Sequence, residues 1–532
     1  MALGNITFVK GQGGLGRPLT GEDFISGLCV YTSNGTLPSG YSTSARIKSI
    51  GSVADAENLG IKNDYSDATA AKATYAISAA GAAGNTVQIS CKTVDIVTTN
   101  NIQSIGLVTV NLGTYTLVTA DVVSTTTAAA ALAVFINSGT YSHGFSATAA
   151  TGTLTIIFPK SQGTAPNGTN TIVGSTPVVV TKVGTIAGTL TQPASATTGT
   201  QSLQAVWHYH ISEFFRIQPQ GRLFVGFFAV NSAYDFSELT LMQTYATGKI
   251  RQFGIWLDGG QCHAFTTGDL TAIHAEIVNN LDANHQPCSA LYAADLSTTS
   301  DLTTLTDLNT LTAYKASAVI SQDGANHGAF LFSTFGYSIT TLGAALGAVS
   351  LASVSDSIEW VAKFNISNGT ECDTPAFGNG QLLSALSQST LQTLDGLRYI
   401  FLIKYVGQAG SYFNNSYTAV ASTSDYAKIE GNRTIDKAIR GVYAGLLPAL
   451  GSPIVLNSDG TLTDTSVAYF TSLAEVNLTQ MKRDAELSSF KVTIDPTQNV
   501  LSTGLLIVAV QLLPVGVANN IQVNIGFVTS IS

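Results

Sequence analysis

Three groups of residues in this 532-residue chain have side chains of the kinds that do chemistry. Gly11-Gln12-Gly13-Gly14-Leu15-Gly16 spells the G-x-G-x-x-G pattern of a dinucleotide loop, whose glycines let backbone amides close on a pyrophosphate at a helix N-terminus. Arg17-Pro18 and the turn-forming Thr20-Gly21-Glu22-Asp23 follow instead of a helix, so no nucleotide or other cofactor is expected. Gly11, Gly13, Gly14 and Gly16 read better as a hinge between an arm and a body. Cys262, His263, His274, His285 and Cys288 offer zinc-type donors within 27 positions, but none of their spacings gives the C-x2-C or H-x3-H pairs of a closed tetrahedral site, and no metal is expected. Trp207-His208-Tyr209-His210 with Glu213, and His327 near Asp323, could supply an acid and a base. No nucleophile elbow, H-E-x-x-H helix or phosphate loop accompanies them, so packing is their better use. The chain reads as a non-enzyme with no catalytic residue.

The elements that could position other groups are at the ends. Ile6-Thr7-Phe8-Val9-Lys10 precedes the glycine run, and Ile521-Gln522-Val523-Asn524-Ile525-Gly526-Phe527 stops five residues before the last. Apolar residues at alternate positions give each run one apolar face as a strand. A terminal strand without a partner invites pairing with another chain. Strand exchange between subunits is therefore expected through Ile6, Phe8, Val9, Ile521, Val523, Ile525 and Phe527, with Pro514 and Gly516 in a second hinge spanning Pro514 to Asn520.

Composition fits an assembly. Only 11% of residues are charged against 45% hydrophobic, which suits a surface largely covered by other copies. The net charge of −9 and the lack of any basic block argue against nucleic acid. The start MALGNITFVKGQ has no charged segment leading into an apolar one, so cytoplasmic synthesis and assembly are expected. Leu505 to Val517, interrupted by Gln511 and Pro514, is too short to span a membrane and reads as a buried strand; no membrane insertion is expected. Five widely spaced cysteines do not make a disulfide framework.

Residues 76–200 contain only five charged residues (Lys92, Asp95, Asp121, Lys160 and Lys182) among Thr, Ala, Gly, Ser and Val. Short β-type runs at Thr86–Ser90, Leu107–Val110, Leu154–Phe158 and Val178–Val183, with a helix over Thr125–Asn137, read as an inserted β-rich surface domain. Beyond residue 200, strands at Leu223–Phe228, Phe253–Leu257, Ser289–Tyr292, Ala318–Ile320, Tyr399–Ile403 and Leu505–Val510 alternate with helices near Ser237–Thr247 and Leu270–Leu281, an α/β pattern. Between Asp425 and Lys491 lie seven basic and eight acidic residues. The helix Thr434–Leu447 aligns Ile435, Ile439, Val442 and Leu446, and Ser466–Leu487 aligns Val467, Phe470, Ala474, Leu478, Met481 and Ala485. The charges are expected on the solvated faces of these helices.

His208-Tyr209-His210-Ile211-Ser212-Glu213-Phe214-Phe215-Arg216-Ile217-Gln218-Pro219-Gln220-Gly221, running into Leu223 to Phe228, resembles the sheath proteins of contractile tails in tailed phages and phage-like injection systems. Gly14 to Arg17 with Gly21 to Leu28, Asn432 to Ala438, Met481-Lys482-Arg483 and Ile494-Asp495-Pro496 extend the resemblance over both ends and the α/β body, leaving out residues 76–200. It implies a multidomain α/β (α+β) sheath-type core with terminal strand arms: an arm and hinge at 1–30, core at 31–75 and 201–425, a tube-facing C-terminal domain at 426–513 and a strand arm at 514–532. It also implies a helical stack of hexameric rings around an inner tail tube, with baseplate and tail terminator partners, built in a bacterial host as part of a virion tail or an injection particle. Lys482, Arg483, Asp484 and Glu486 would then lie nearest the tube, and the insert would project outward. A capsid or baseplate protein with exchanged arms, or a β-rich adhesin or glycan-binding protein centred on residues 76–200, would share parts of this pattern.

Overall fold

The computed structural model describes residues 21–99, 102–168, 176–231, 233–523 and 525–527. Ile6, Phe8 and Val9 of the first arm, and Gly11, Gly13, Gly14 and Gly16 of its hinge, lie outside the described residues.

The body is organised by the strand Ile25–Thr32, every residue of which is buried. It pairs in parallel with Arg222–Ala229 on one side and Gln252–Leu257 on the other. Ser289–Ala293 and Ala316–Val319 continue the parallel sheet, and Ile47–Ile50 closes the opposite edge antiparallel to Arg222–Ala229. Counted along the chain, the parallel strands stand in the order 2-1-3-4-5 of a doubly wound sheet. Both faces are covered, which is why Leu223–Phe228 and Phe253–Leu257 are almost unbrokenly apolar. The boundary expected at residue 30 is corrected: Ile25–Thr32 belongs to the centre of the body, not to an arm.

One face carries the helix Leu203–Ile217, started by Ser202 accepting a hydrogen bond from the Ala205 amide. It buries Trp207, Tyr209, Ile211 and Phe214. Against it lies Leu342–Leu351, a helix apolar on every side and so without the periodicity that sequence reading needs. A Cβ at Gly343 would collide with the His210 carbonyl and one at Gly347 with that of Phe214, so these glycines let the two helix backbones touch. The other face carries Glu238–Tyr245 and Thr267–Glu276, the latter opened by a Thr266/Asp269 capping box and widened into a π-helical turn over Ile277–Asp282. The strand expected at Tyr399–Ile403 is a ladder only at Leu402–Ile403, paired with Tyr412–Phe413.

The inserted domain begins earlier than residue 76. Thr69 and Thr200 bond across its base, with the Thr200 amide donating to the Thr69 carbonyl at 3.0 Å, and Lys72 and Thr197 bridge next to them. Inside are a four-stranded sheet (Ser146–Ala150, Thr153–Ile157, Lys72–Ala79, Ala187–Thr191) and a three-stranded one (Ile102–Thr116, Thr86–Thr99, Val178–Val183). The helix Thr125–Ser138, with a Ser124/Thr127 capping box, packs Leu132 and Ile136 into the domain's own core. The expected runs at Thr86 and Leu107 are the two long arms of one hairpin.

His210 is fully buried on the Leu203–Ile217 helix, and neither ring nitrogen has a protein partner among the described residues. Burial lowers its pKa to about 3, and burial with nearby His208 lowers that of His327 to about 4. Unfolded, both take up protons near pH 6.5. Their contribution is therefore complete above that pH and is lost as pH falls from 6.5 towards 4. Urea melts of His210→Phe between pH 7 and 5 should show a slope of stability with pH shallower, on average, by about 1 kcal/mol per unit than wild type. An unchanged slope would mean that His210 is already protonated in the folded chain.

Candidate assembly site

The C-terminal part stands on the helix Ile429–Leu446. Its charged face points inward, reversing the expectation of a solvated face: Glu430, Arg433 and Asp436 are buried, while Ile439 and Tyr443 are 45% and 39% exposed. Periodicity shows that a helix has two faces, and a buried ionic seam decides here which of them is inside. Asp436 takes a 2.6 Å bond from Lys315, both side chains buried, and Lys315 also lies 3.4 Å from Asp282. Burial raises the Asp282 carboxyl to about 6 against the pull of Lys315.

Asp23, two residues ahead of the central strand, is the other half of the seam. Lys437 lies 2.7 Å from it and Arg440 3.3 Å, while Arg433 donates to the Asp23 carbonyl. Burial pushes the Asp23 carboxyl upward, but Lys437, Arg433 and Arg440 together hold it below its ordinary value. Lys437 also binds Glu486 at 2.6 Å. One helix thus clamps the start of the body to the turn that precedes the next strand.

That strand, Leu487–Thr493, pairs antiparallel with Ala509–Pro514 and with no other strand among the described residues. Both outer edges of the two-stranded sheet lack a backbone partner among the described residues. Phe490, Val492, Val510 and Leu512 face a small core of Val354, Ala438, Leu478 and Met481, which supplies the support that an isolated hairpin lacks. The strand expected to be buried from Leu505 is corrected: it starts at Ala509, ends at Pro514, and has only its alternate residues half-buried. Pro514 of the expected hinge closes this hairpin, and Gly516 follows it.

Beyond Pro514 the chain runs past a groove of about 760 Å³ lined by Trp360, Tyr405, Val517 and Ile521. The Asn519 side chain donates to Glu359 at 2.6 Å. Ile521 is 80% exposed, Val523 69%, Ile525 92%, and Phe527 is fully exposed. Among the described residues these belong to no strand. The two-stranded sheet is thus open at both edges among the described residues, and the alternating apolar run lies outside it.

The helix Asp464–Arg483 buries Phe470, Ala474, Leu478 and Met481. Lys482 and Arg483 are exposed in its last turn, where cations suit the helix dipole, and Asp484 caps it in the open. Glu486 departs from this group: it is 6% exposed and engaged by Lys437, so it is not presented to a partner. Only a residue 49 positions away determines that burial, and no local pattern signals it.

The residues that could have done chemistry are engaged in packing. His263 bonds Asp269 at 2.8 Å, His274 meets the Tyr314 ring edge-on, His285 stacks on Tyr443, Tyr234 donates to Cys262, and Cys288 is buried. No group of three or more His, Cys, Asp or Glu among the described residues is placed to hold a metal ion. Asp323 accepts from the Asn326 and Cys372 amides, while the His327 ring packs on Tyr209 and Phe330. No helix among the described residues is long and apolar enough to cross a membrane.

Two family models match the chain: DUF2586, N-terminal domain, over residues 3–417, and DUF2586, C-terminal domain, over residues 425–532. No curated protein matches it. Among solved structures it is similar to the contracted helical sheath of the anti-feeding prophage, at 13% identity and a TM-score of 0.42 over 60% of this chain and 81% of that one. It is similar to the contracted PVC sheath complex of an extracellular contractile injection system at 12% identity and a TM-score of 0.39, covering 60% and 80% of the two chains. It is also similar to a sheath tail protein of Listeria innocua at 11% identity and a TM-score of 0.35, covering 94% and 96%.

The seam is tested by breaking one pair. Asp436→Ala strands the Lys315 ammonium in the interior with only Asp282 nearby, and should cost about 3 kcal/mol in urea denaturation. Replacing both partners by apolar residues, Lys315→Met with Asp436→Leu, should recover most of the loss. Equal losses in the single and double variants would show that Lys315 does not depend on Asp436.

Proposed function

We propose that this chain, which belongs to the DUF2586 family along both of its domains, is the repeating subunit of a contractile tail sheath. The observation that carries this reading is the coexistence on one chain of a two-stranded sheet, Leu487–Thr493 with Ala509–Pro514, open at both edges among the described residues, and an exposed alternating apolar run, Ile521, Val523, Ile525 and Phe527, that lies outside the described strands. A donor that leaves its own acceptor empty can fill a neighbour's, and head-to-tail joining of identical chains gives rings or helical stacks. Strand addition supplies affinity through main-chain hydrogen bonds, while Ile521, Val523, Ile525 and Phe527 set the register. Together with the sequence resemblance, this supports hexameric rings stacked around an inner tube, with baseplate and terminator proteins at the ends. The segments at Gly11–Gly16 and Pro514–Asn520 act as hinges that keep subunits joined while their bodies turn during contraction. The work comes from relaxation of one lattice into another, with no catalytic step.

Lys482, Arg483 and Asp484 form the proposed tube contact, an exposed charged patch of the kind that can release. Assembly takes place in the cytoplasm of the bacterial host, and the particle is a virion tail or an injection device.

Electron microscopy of the purified full chain should show cylinders, and deletion of residues 521–532 should leave folded chains that form none. Ordered cylinders from the deleted chain would overturn the arm reading, and shells or discs from the full chain would point to a capsid or baseplate protein. Charge reversal at Lys482 and Arg483 should abolish co-sedimentation with the tube protein while leaving self-assembly intact. Undiminished tube binding would place the contact elsewhere.

A further inference from the structure

Side-chain amides close three stretches of strand edge in the inserted domain, two near its surface and one buried. Asn137 brackets Ala147 on the edge strand Ser146–Ala150, accepting from its amide and donating to its carbonyl, each at 2.8 Å. Gln192 does the same to Val178 on the edge strand Val178–Val183, at 3.0 and 2.8 Å, and Lys182 adds a charge there. Gln162 brackets Val94 at 2.8 and 2.9 Å, beyond the point where Val178–Val183 stops covering Thr86–Thr99. Such plugs and charges keep an edge from templating another strand.

The edge strand Ile102–Thr116 has no such device. It is 15 residues long, pairs only with Thr86–Thr99, and contains neither proline nor charge. The nearest charged residues along the chain are Asp95 and Asp121. The only side-chain bond to its backbone among the described residues is internal, from the Gly113 amide to Asn111 at the bulge. Leu107 is 42% exposed, and Thr109, Asn111 and Thr114 point into solvent. Long, uncharged and unplugged edges are the ones that pair.

We propose that Ile102–Thr116 is a second strand-docking edge and that its partner is the same strand of a second copy, paired antiparallel about a two-fold axis. Self-pairing fits its composition. An uncharged strand meets its copy without like-charge repulsion, and residues 76–200 carry only three lysines and two aspartates. A two-fold contact has no place between rotationally related neighbours of one polar stack, so it joins domains of separate stacks or of unassembled chains. The inference therefore does not rest on the sheath reading.

The test uses chains lacking residues 521–532, which removes exchange of the C-terminal arm, and measures mass by sedimentation equilibrium across a concentration series. The expected result is a dimer that Thr109→Lys and, separately, Leu107→Lys convert to monomer with an unchanged melting temperature, since both side chains face solvent and would set like charges across the pair. A parent that stays monomeric throughout, or a dimer that both substitutions leave intact, overturns the proposal. Cylinder formation by full-length Thr109→Lys reports separately on the sheath reading.

Discussion

The ionic seam around Asp23 governs the relation between the two ends of this protein. Asp23 lies two residues before the most buried strand of the body, and three cations of one C-terminal helix converge on it. Lys437 of that helix also holds Glu486 at the start of the hairpin. The point where the N-terminal segment enters the body and the point where the acceptor sheet begins are thus bound to the same few side chains. A charge removed from such a network leaves its partners buried and uncompensated. The position of the C-terminal hairpin relative to the central strand is therefore set by these few side chains.

The strand edges of the chain fall into two kinds. In the inserted domain, three are plugged by Asn137, Gln162 and Gln192, each spending both hydrogen-bonding functions of its amide on the backbone of one residue. The C-terminal hairpin, the short Ala187–Thr191 and the long Ile102–Thr116 are left open among the described residues. Because plugs occur on the same domain, the open edge of Ile102–Thr116 is not explained by a general tolerance for unpaired backbone.

Much of the α/β body is legible in the sequence where burial is uniform or strictly alternating. Leu223–Phe228 and Phe253–Leu257 read as strands because both of their faces are covered, and Asp464–Arg483 reads as a helix because one stripe is apolar. Ile25–Thr32 does not stand out, since Ser26 and Gly27 interrupt its apolar run at the sheet centre. Leu342–Leu351 gives no period because it is buried all round. The candidate site is half legible. The alternation at Ile521, Val523, Ile525 and Phe527 is visible in the sequence, whereas the strand Leu487–Thr493 is masked by Ser488, Ser489 and Lys491, and the burial of Glu486 and Arg433 depends on partners distant in sequence.

The base of the inserted domain, where Thr69 and Thr200 are directly bonded, has a mechanical consequence. The chain enters and leaves the insert at adjacent residues, and a second tie lies away from that base, where the Thr164 amide and hydroxyl both donate to the Thr334 carbonyl and Val94 and Ala165 pack on Phe330. A pull on the body therefore reaches the insert at two separated places, so the insert is steered with the body instead of swinging on its two connecting strands.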